Sequence, residues 1–254
     1  MTWIRAIICL VFLPLSAHAG EPADSRFWAY QPRNITCSSG ASMHYRLFRP
    51  EIATDPAPLG SQPDSLPLLL LLHSITERGS DNLAPYQFFR PYLTEAFYRK
   101  HPCFIVIPQC PRWKFWWEQR PFEALNAIIP ALLKEFPQID PTRIYISGAS
   151  LGGYATYAML AENPGLFAAA IPISGDPSPS PLKADAIQGL PIWIFHGALD
   201  HRVPIKGDRE LVAKLKALGA SPRYTEYPDL GHTVWKKAYA EPQLWDWVFE
   251  QRRH

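Results

Sequence analysis

Strong charge of either sign is missing from this sequence. Lys and Arg total 25, Asp and Glu 23, and the formal net charge is +2. Without a basic field to attract phosphates, nucleic acid is not an expected partner. Long apolar runs are missing as well. The apolar stretch at residues 6–15 is too short for a membrane-spanning helix, which needs about 20 residues. No internal repeat occurs, which excludes a solenoid or a propeller. The 27 prolines are scattered through loops and helix starts and form no low-complexity block. Cysteine is scarce, 4 in 254 residues and none at metal-ligand spacing, so no metal is expected. What is present is a 47% apolar chain of a length that fits one large α/β domain better than two small ones.

The first residues carry a leader pattern. Met1-Thr2-Trp3-Ile4-Arg5 is weakly basic, residues 6–15 are apolar, and Ala17-His18-Ala19 is an A-x-A cleavage site. The expected division is a signal peptide over 1–19 cut after Ala19, a loosely held arm over 20–33, and a single domain over 34–254. The expected location is the periplasm or outside the cell, with no stable membrane anchor after cleavage. Cys37, Cys103 and Cys110 then remain, and an oxidising compartment permits one disulfide among them. Cys103 and Cys110 flank one extended strand, which holds their Cα atoms too far apart to bridge. Any bridge would therefore use Cys37, with Cys103 or with Cys110. The alternative is burial of all three as small apolar side chains.

Patterning predicts alternating strands and helices. A hairpin is expected from Asn34-Ile35-Thr36-Cys37 and residues 43–49 around Ser38-Ser39-Gly40. Residues 66–73, 104–108, 143–147, 167–173 and 191–196 are mainly apolar, β-branched or aromatic stretches of the kind buried on both faces of a parallel sheet, and 222–227 is the last expected strand. Helices are expected over 86–98 (bent or shortened by Pro91), 121–136, 154–162, 206–218 and 242–251. This pattern implies an α/β fold: a mostly parallel central sheet with helices on both faces and an N-terminal antiparallel hairpin. In such sheets ligands bind at the carboxyl ends of the strands.

Gly148-Ala149-Ser150-Leu151-Gly152-Gly153 lies between a strand and a helix, the setting of a nucleophile elbow. The turn is sharp enough that a Cβ at Gly148 or Gly152 would collide with the strand or helix. Ser150 is the candidate nucleophile. The amide of Leu151, which starts the helix, can donate to an oxyanion. A serine hydroxyl needs a base, and the base needs an orienting acid. His232 follows the last strand behind Gly231 and is the candidate base. Asp200 follows the strand at 191–196 and is the candidate acid, with Asp176 and, more weakly, Asp229 as rivals. His73 and His196 end buried strands and read as capping the core. A second oxyanion donor is expected after the strand at 66–73, from the amide of Ser74 or of Ile75. The aromatic run Trp113-Lys114-Phe115-Trp116-Trp117 and Trp235 lie at the same edge. Trp116, Trp117 and Trp235 are the expected pocket walls for an acyl, aryl or sugar group.

Several short motifs recur together: Glu77-Arg78-Gly79-Ser80-Asp81-Asn82, Pro108-Gln109-Cys110-Pro111, Asp140-Pro141-Thr142-Arg143-Ile144-Tyr145, the elbow followed by Tyr154, and Tyr224-Thr225-Glu226-Tyr227-Pro228 with Gly231-His232. In these the sequence resembles the α/β-hydrolases often labelled predicted peptidases, next to phospholipase/carboxylesterase, feruloyl esterase and polyhydroxybutyrate depolymerase-like esterases. The resemblance implies a serine hydrolase without metal or organic cofactor, with Ser150, Asp200 and His232 as nucleophile, acid and base. It implies a small-molecule or polymer-linked ester as substrate. Peptide hydrolysis is the alternative within the class, and a catalytically weak binding protein on the same scaffold is the alternative outside it. The family usually has His-Gly-x-Gly where this chain has His73-Ser74-Ile75-Thr76. Ile75 and Thr76 are β-branched and disfavour positive φ, so an altered donor loop is expected.

Overall fold

A computed structural model describes residues 29–50 and 65–253. The expected leader, its cut after Ala19 and most of the proline-rich loop before residue 66 lie outside the described residues. Among the described residues, no helix is long and apolar enough to cross a membrane.

Eight strands form one sheet: β1 (Tyr30–Thr36), β2 (Ser42–Phe48), β3 (Leu66–Leu72), β4 (Phe104–Pro108), β5 (Ile139–Ala149), β6 (Ala169–Ile173), β7 (Trp193–Gly197) and β8 (Arg223–Tyr227). Their spatial order is β1-β2-β4-β3-β5-β6-β7-β8. β1 and β2 pair antiparallel, β2 runs antiparallel to β4, and the six strands from β4 to β8 are parallel. This is the expected α/β architecture with its N-terminal hairpin. The helices are α1 (Ala84–Phe89), α2 (Glu95–Lys100), α3 (Gln119–Glu135), α4 (Leu151–Glu162), α5 (Lys206–Ala217), α6 (Trp235–Ala238) and α7 (Leu244–Glu250).

The apolar strands alternate between two cores. Leu68, Leu70 and Leu72 of β3 face α3, α4 and α5 through Leu125, Ile128, Ala155, Met159 and Leu211. Leu69 and Leu71 face the other side, among Tyr86, Phe89, Phe97, Ala238 and Leu244. Each strand residue thus buries its side chain against helices on one face or the other, which is why these runs carry no polar alternation.

Two local expectations are corrected. The arm expected over 20–33 is not loose at its end, because Tyr30 to Arg33 belong to β1. Tyr30 is fully buried, bonds its hydroxyl to that of Tyr98 at 2.6 Å, and gives its carbonyl to the guanidinium of Arg46 at 2.6 Å. The helix expected over 86–98 is two short helices. α1 ends at Phe89, two residues before Pro91, and Thr94 caps α2 by accepting the Phe97 N–H.

Candidate active site

The elbow is built from backbone that cannot tolerate side chains. Gly148 lies against the Gly152 carbonyl and Gly152 against the Leu72 carbonyl, so a Cβ on either would collide with backbone. Between them Ser150 adopts φ 56° and ψ −113°. A non-glycine residue held there costs about 1–3 kcal/mol. The strain is held by the Ser150 N–H donating to the Ile173 carbonyl at 2.9 Å and by α4, whose Tyr154 N–H donates to the Ser150 carbonyl at 3.1 Å.

Three side chains from three strand ends meet. Ser150 Oγ lies 2.8 Å from His232 Nε2. His232 Nδ1 lies 2.7 Å from Asp200 Oδ2. Asp200 Oδ1 accepts the N–H groups of Arg202 and Val203 at 2.8 and 2.9 Å. Burial opposes charge on Asp200, but the Val203 amide, the His232 ring and the Arg202 amide outweigh it and hold the carboxyl below the ordinary carboxylate range. The rival Asp176 instead accepts the N–H of Ser178 in its own loop, and Asp229 is exposed.

The loop after β3 is locked by His73, which is buried. Its Nδ1 lies 2.6 Å from the Ser74 carbonyl and its Nε2 accepts the Cys110 N–H at 3.0 Å. The pattern fixes the neutral Nδ1–H form, and burial pulls its pKa down to about 4. The Ser74 carbonyl is therefore drawn toward the His73 ring. Because the peptide is planar and trans, the Ile75 N–H is aimed the opposite way. The His73 carbonyl lies against Gly152, so the Ser74 N–H faces away from the elbow. The expectation of an altered loop is corrected in one respect. Ser74 is extended (φ −79°), and neither Ile75 nor Thr76 has a positive φ. Residues 75–77 form a 3-10 turn that β-branched side chains accommodate.

Of the expected pocket tryptophans, Trp117 is exposed and lies 5.6 Å from the ring of Tyr154, on the first turn of α4. Trp235 stands edge-on to His232 at 5.5 Å. Trp116 is corrected: it is fully buried beneath the loop, 4.9 Å from the His73 ring, and is not an exposed wall. Its neighbour Trp113 is 78% exposed, with φ 65°.

Sequence reasoning missed two residues here. Ser174, the residue after β6, has φ 47° and donates Oγ–H to the His232 carbonyl at 2.8 Å, holding that loop. Its signal was its place two residues from Asp176, at a strand end. His196, read as a core cap, touches Asp200. Among the described residues, no group of three or more His, Cys, Asp or Glu side chains is arranged to hold a metal ion.

The fold has known relatives. The model of the prolyl oligopeptidase family matches residues 111–176, the stretch that contains the elbow. A thermostable esterase of known structure is 34% identical over 89% of this chain, with a TM-score of 0.78. The chain belongs to the α/β-hydrolase superfamily. The chain spans 64% of the esterase's length. Two other structures share its fold at low identity. They are the S-formylglutathione hydrolase of Staphylococcus aureus (16% identity, TM-score 0.63, 87% of this chain and 96% of that one) and the acylaminoacyl peptidase of Pyrococcus horikoshii (19%, TM-score 0.65, 87% and 41%). No curated protein sequence matches the chain.

Proposed function

We propose that the protein is a serine hydrolase that cleaves carboxylic esters through an acyl-enzyme. The observation that carries this reading is the hydrogen-bonded line from strained Ser150 through His232 to ionised Asp200 at the carboxyl edge of the sheet. Ser150 Oγ attacks the ester carbonyl while His232 Nε2 takes its proton. Asp200 fixes the Nδ1–H tautomer and offsets the imidazolium charge. The oxyanion is received by the Leu151 N–H at the start of α4 and by the Ile75 N–H, the choice over Ser74 resting on the peptide orientations set by His73. The alcohol departs with the proton from His232. Water then gives a proton to His232, attacks the acyl carbon and releases the acid and Ser150.

Ester cleavage is favoured because the 34%-identical relative is an esterase, and alcohols leave more readily than amines. Peptide hydrolysis is the second reading. The prolyl oligopeptidase model over 111–176 supports it. The substrate is a small-molecule or polymer-linked ester, with Trp117 against Tyr154 and Trp235 against His232 as its apolar walls. The leader pattern over 1–19 makes the protein an exported one, periplasmic or secreted.

A fluorophosphonate probe and a series of p-nitrophenyl esters test the reading. The folded protein is expected to take up one probe per chain and to hydrolyse the esters, and Ser150→Ala to do neither. Equal labelling of Ser150→Ala, or none of the wild type, would sink the enzyme reading.

A further inference from the structure

The acyl-transfer cycle leaves a buried pair of titratable side chains without a part. His196 on β7 and Asp208 in the first turn of α5 are both fully buried. His196 Nδ1 lies 2.6 Å from Asp208 Oδ2. Asp208 Oδ1 accepts the hydroxyl of Tyr157, from α4, at 2.5 Å. On its other side, His196 Nε2 lies 3.0 Å from the Val203 carbonyl and 3.2 Å from Asp200 Oδ2. That oxygen is the one His232 Nδ1 reaches at 2.7 Å. An unbroken line thus runs from Ser150 through His232, Asp200, His196 and Asp208 to Tyr157.

The proton count along this line is constrained. Both groups facing Nε2 are acceptors when Asp200 is ionised, so Nε2 carries a proton. One further proton lies between Nδ1 and Asp208 Oδ2. On nitrogen it makes an imidazolium–carboxylate pair, and on oxygen an imidazole–carboxylic acid pair. Burial pulls the His196 pKa down, but Asp208, the Val203 carbonyl and Asp200 outweigh it and raise it. Burial raises Asp208, and His196 and Tyr157 offset that only in part. The Asp200 anion 3.2 Å from the ring favours the proton on nitrogen. Among the other charged groups, Asp176 acts on Asp208, and Glu226 on β8 sits opposite His196 and is held by Arg209 at 2.6 Å. The phenols of Tyr154 and Tyr224 also border this line.

We infer that His196, backed by Asp208 and Tyr157, is a positioning residue for the acid of the triad. Its Nε2–H donates to the Val203 carbonyl, and the ring nitrogen lies 3.2 Å from the Asp200 oxygen that orients His232, where a charged ring steadies the carboxylate and offsets part of its charge. A carboxylate without that neighbour would favour the His232 imidazolium and leave less neutral base to take the Ser150 proton. The charged ring beside that oxygen keeps the base available at lower pH. The inference rests on the serine-hydrolase reading.

Asp208→Asn tests it with little change of shape. The carboxamide oxygen still accepts from Tyr157 and its NH₂ donates to His196 Nδ1, so only the imidazolium form is lost. The acid limb of kcat/KM for p-nitrophenyl acetate is expected to move to higher pH by about half a pH unit. That is about a threefold lower rate below the limb, with the plateau nearly kept. The double variant His196→Leu/Asp208→Leu removes both charges together, a replacement that buried pairs often tolerate. In it kcat is expected to fall about tenfold or more with KM nearly unchanged, because the acid is less well held. A pair that is only structural would shift Tm and leave the limb in place. A limb superimposable on that of the wild type, in whichever of the two variants folds, would therefore overturn the inference. A wild type that neither hydrolyses ester nor takes up the fluorophosphonate would overturn the proposed function itself.

Discussion

Asp200 is surrounded by donors. The amides of Arg202 and Val203 hold one oxygen, and two histidines reach the other. Its carboxyl therefore titrates below the ordinary range, under that of an unperturbed histidine near pH 6.5. It is ionised wherever a histidine base can work, so the acid limb of the rate reports the base. Asp200→Asn presents an amide to His232 and disturbs the tautomer that leaves Nε2 free to accept. The expected loss in kcat is about 10³–10⁴-fold, with KM little changed. Asp176→Asn, whose contact is with the Ser178 amide, is expected to leave turnover within the same order of magnitude. Steady-state kinetics on the two variants checks both, and the opposite ranking would move the acid to Asp176. His73 acts at the same scale without touching Ser150. By holding the Ser74 carbonyl it fixes which way the next peptide faces, a task that needs neither glycine of the family pattern.

At the scale of elements, the N-terminal end of β5 is fastened at Asp140. Its oxygens accept the Thr142 amide and hydroxyl at 2.9 and 2.7 Å and the Arg143 Nε at 2.8 Å, and Arg252 from the C-terminal segment comes within 3.2 Å. Burial raises its pKa, but the Thr142 hydroxyl and Arg143 outweigh it and bring it down to about 2. A carboxyl held lower in the folded state than in the unfolded one stabilises the fold at neutral pH. That stabilisation, at most about 2 kcal/mol, fades as pH falls from about 4 to about 2. Asp140→Asn is expected to lower stability by about 1–2 kcal/mol at pH 7 and to lose that deficit toward pH 2. Urea titrations at the two pH values check it, and a deficit that persists at pH 2 would assign the effect to packing. The elements themselves were largely legible, because strands buried on both faces leave uninterrupted runs such as Leu68-Leu69-Leu70-Leu71-Leu72 and the elbow needs its glycines in fixed places. What was not legible came from partners remote in sequence. Tyr30 reads as part of an arm until Tyr98 and Arg46 are seen to hold it. Trp116 reads like Trp117 until the loop folds one inward and the other out. His196 reads as a core residue because Tyr157, which completes its line through Asp208, lies on the preceding helix.

At the scale of the whole molecule, the sheet separates the cysteines. Cys103 packs in the core on one face, while Cys110 belongs to the core on the other. Cys37 packs against the same core as Cys110 and turns its Sγ to the Glu123 carbonyl of α3 at 3.9 Å. The sheet therefore stands between Cys37 and Cys103, and a bridge between them would have to cross it. Cys110 turns its Sγ to the Lys114 carbonyl at 3.4 Å, and all three thiols are free. The fold thus depends on its two apolar cores and not on a cross-link, even if the protein is exported to an oxidising compartment. Burial pushes the Cys110 thiol up to about 12 and the Cys103 thiol higher still, so neither supplies thiolate near neutrality. With a thiol-specific chromogenic reagent at pH 8, the native protein without its leader is expected to react slowly and at no more than one site, Cys37. All three sites are expected to react once it is unfolded in denaturant. A reductant should leave Tm unchanged. A Tm that drops on reduction, or fewer than three thiols in the unfolded, unreduced protein, would show that a disulfide forms and that the chain around Cys37 rearranges to make it.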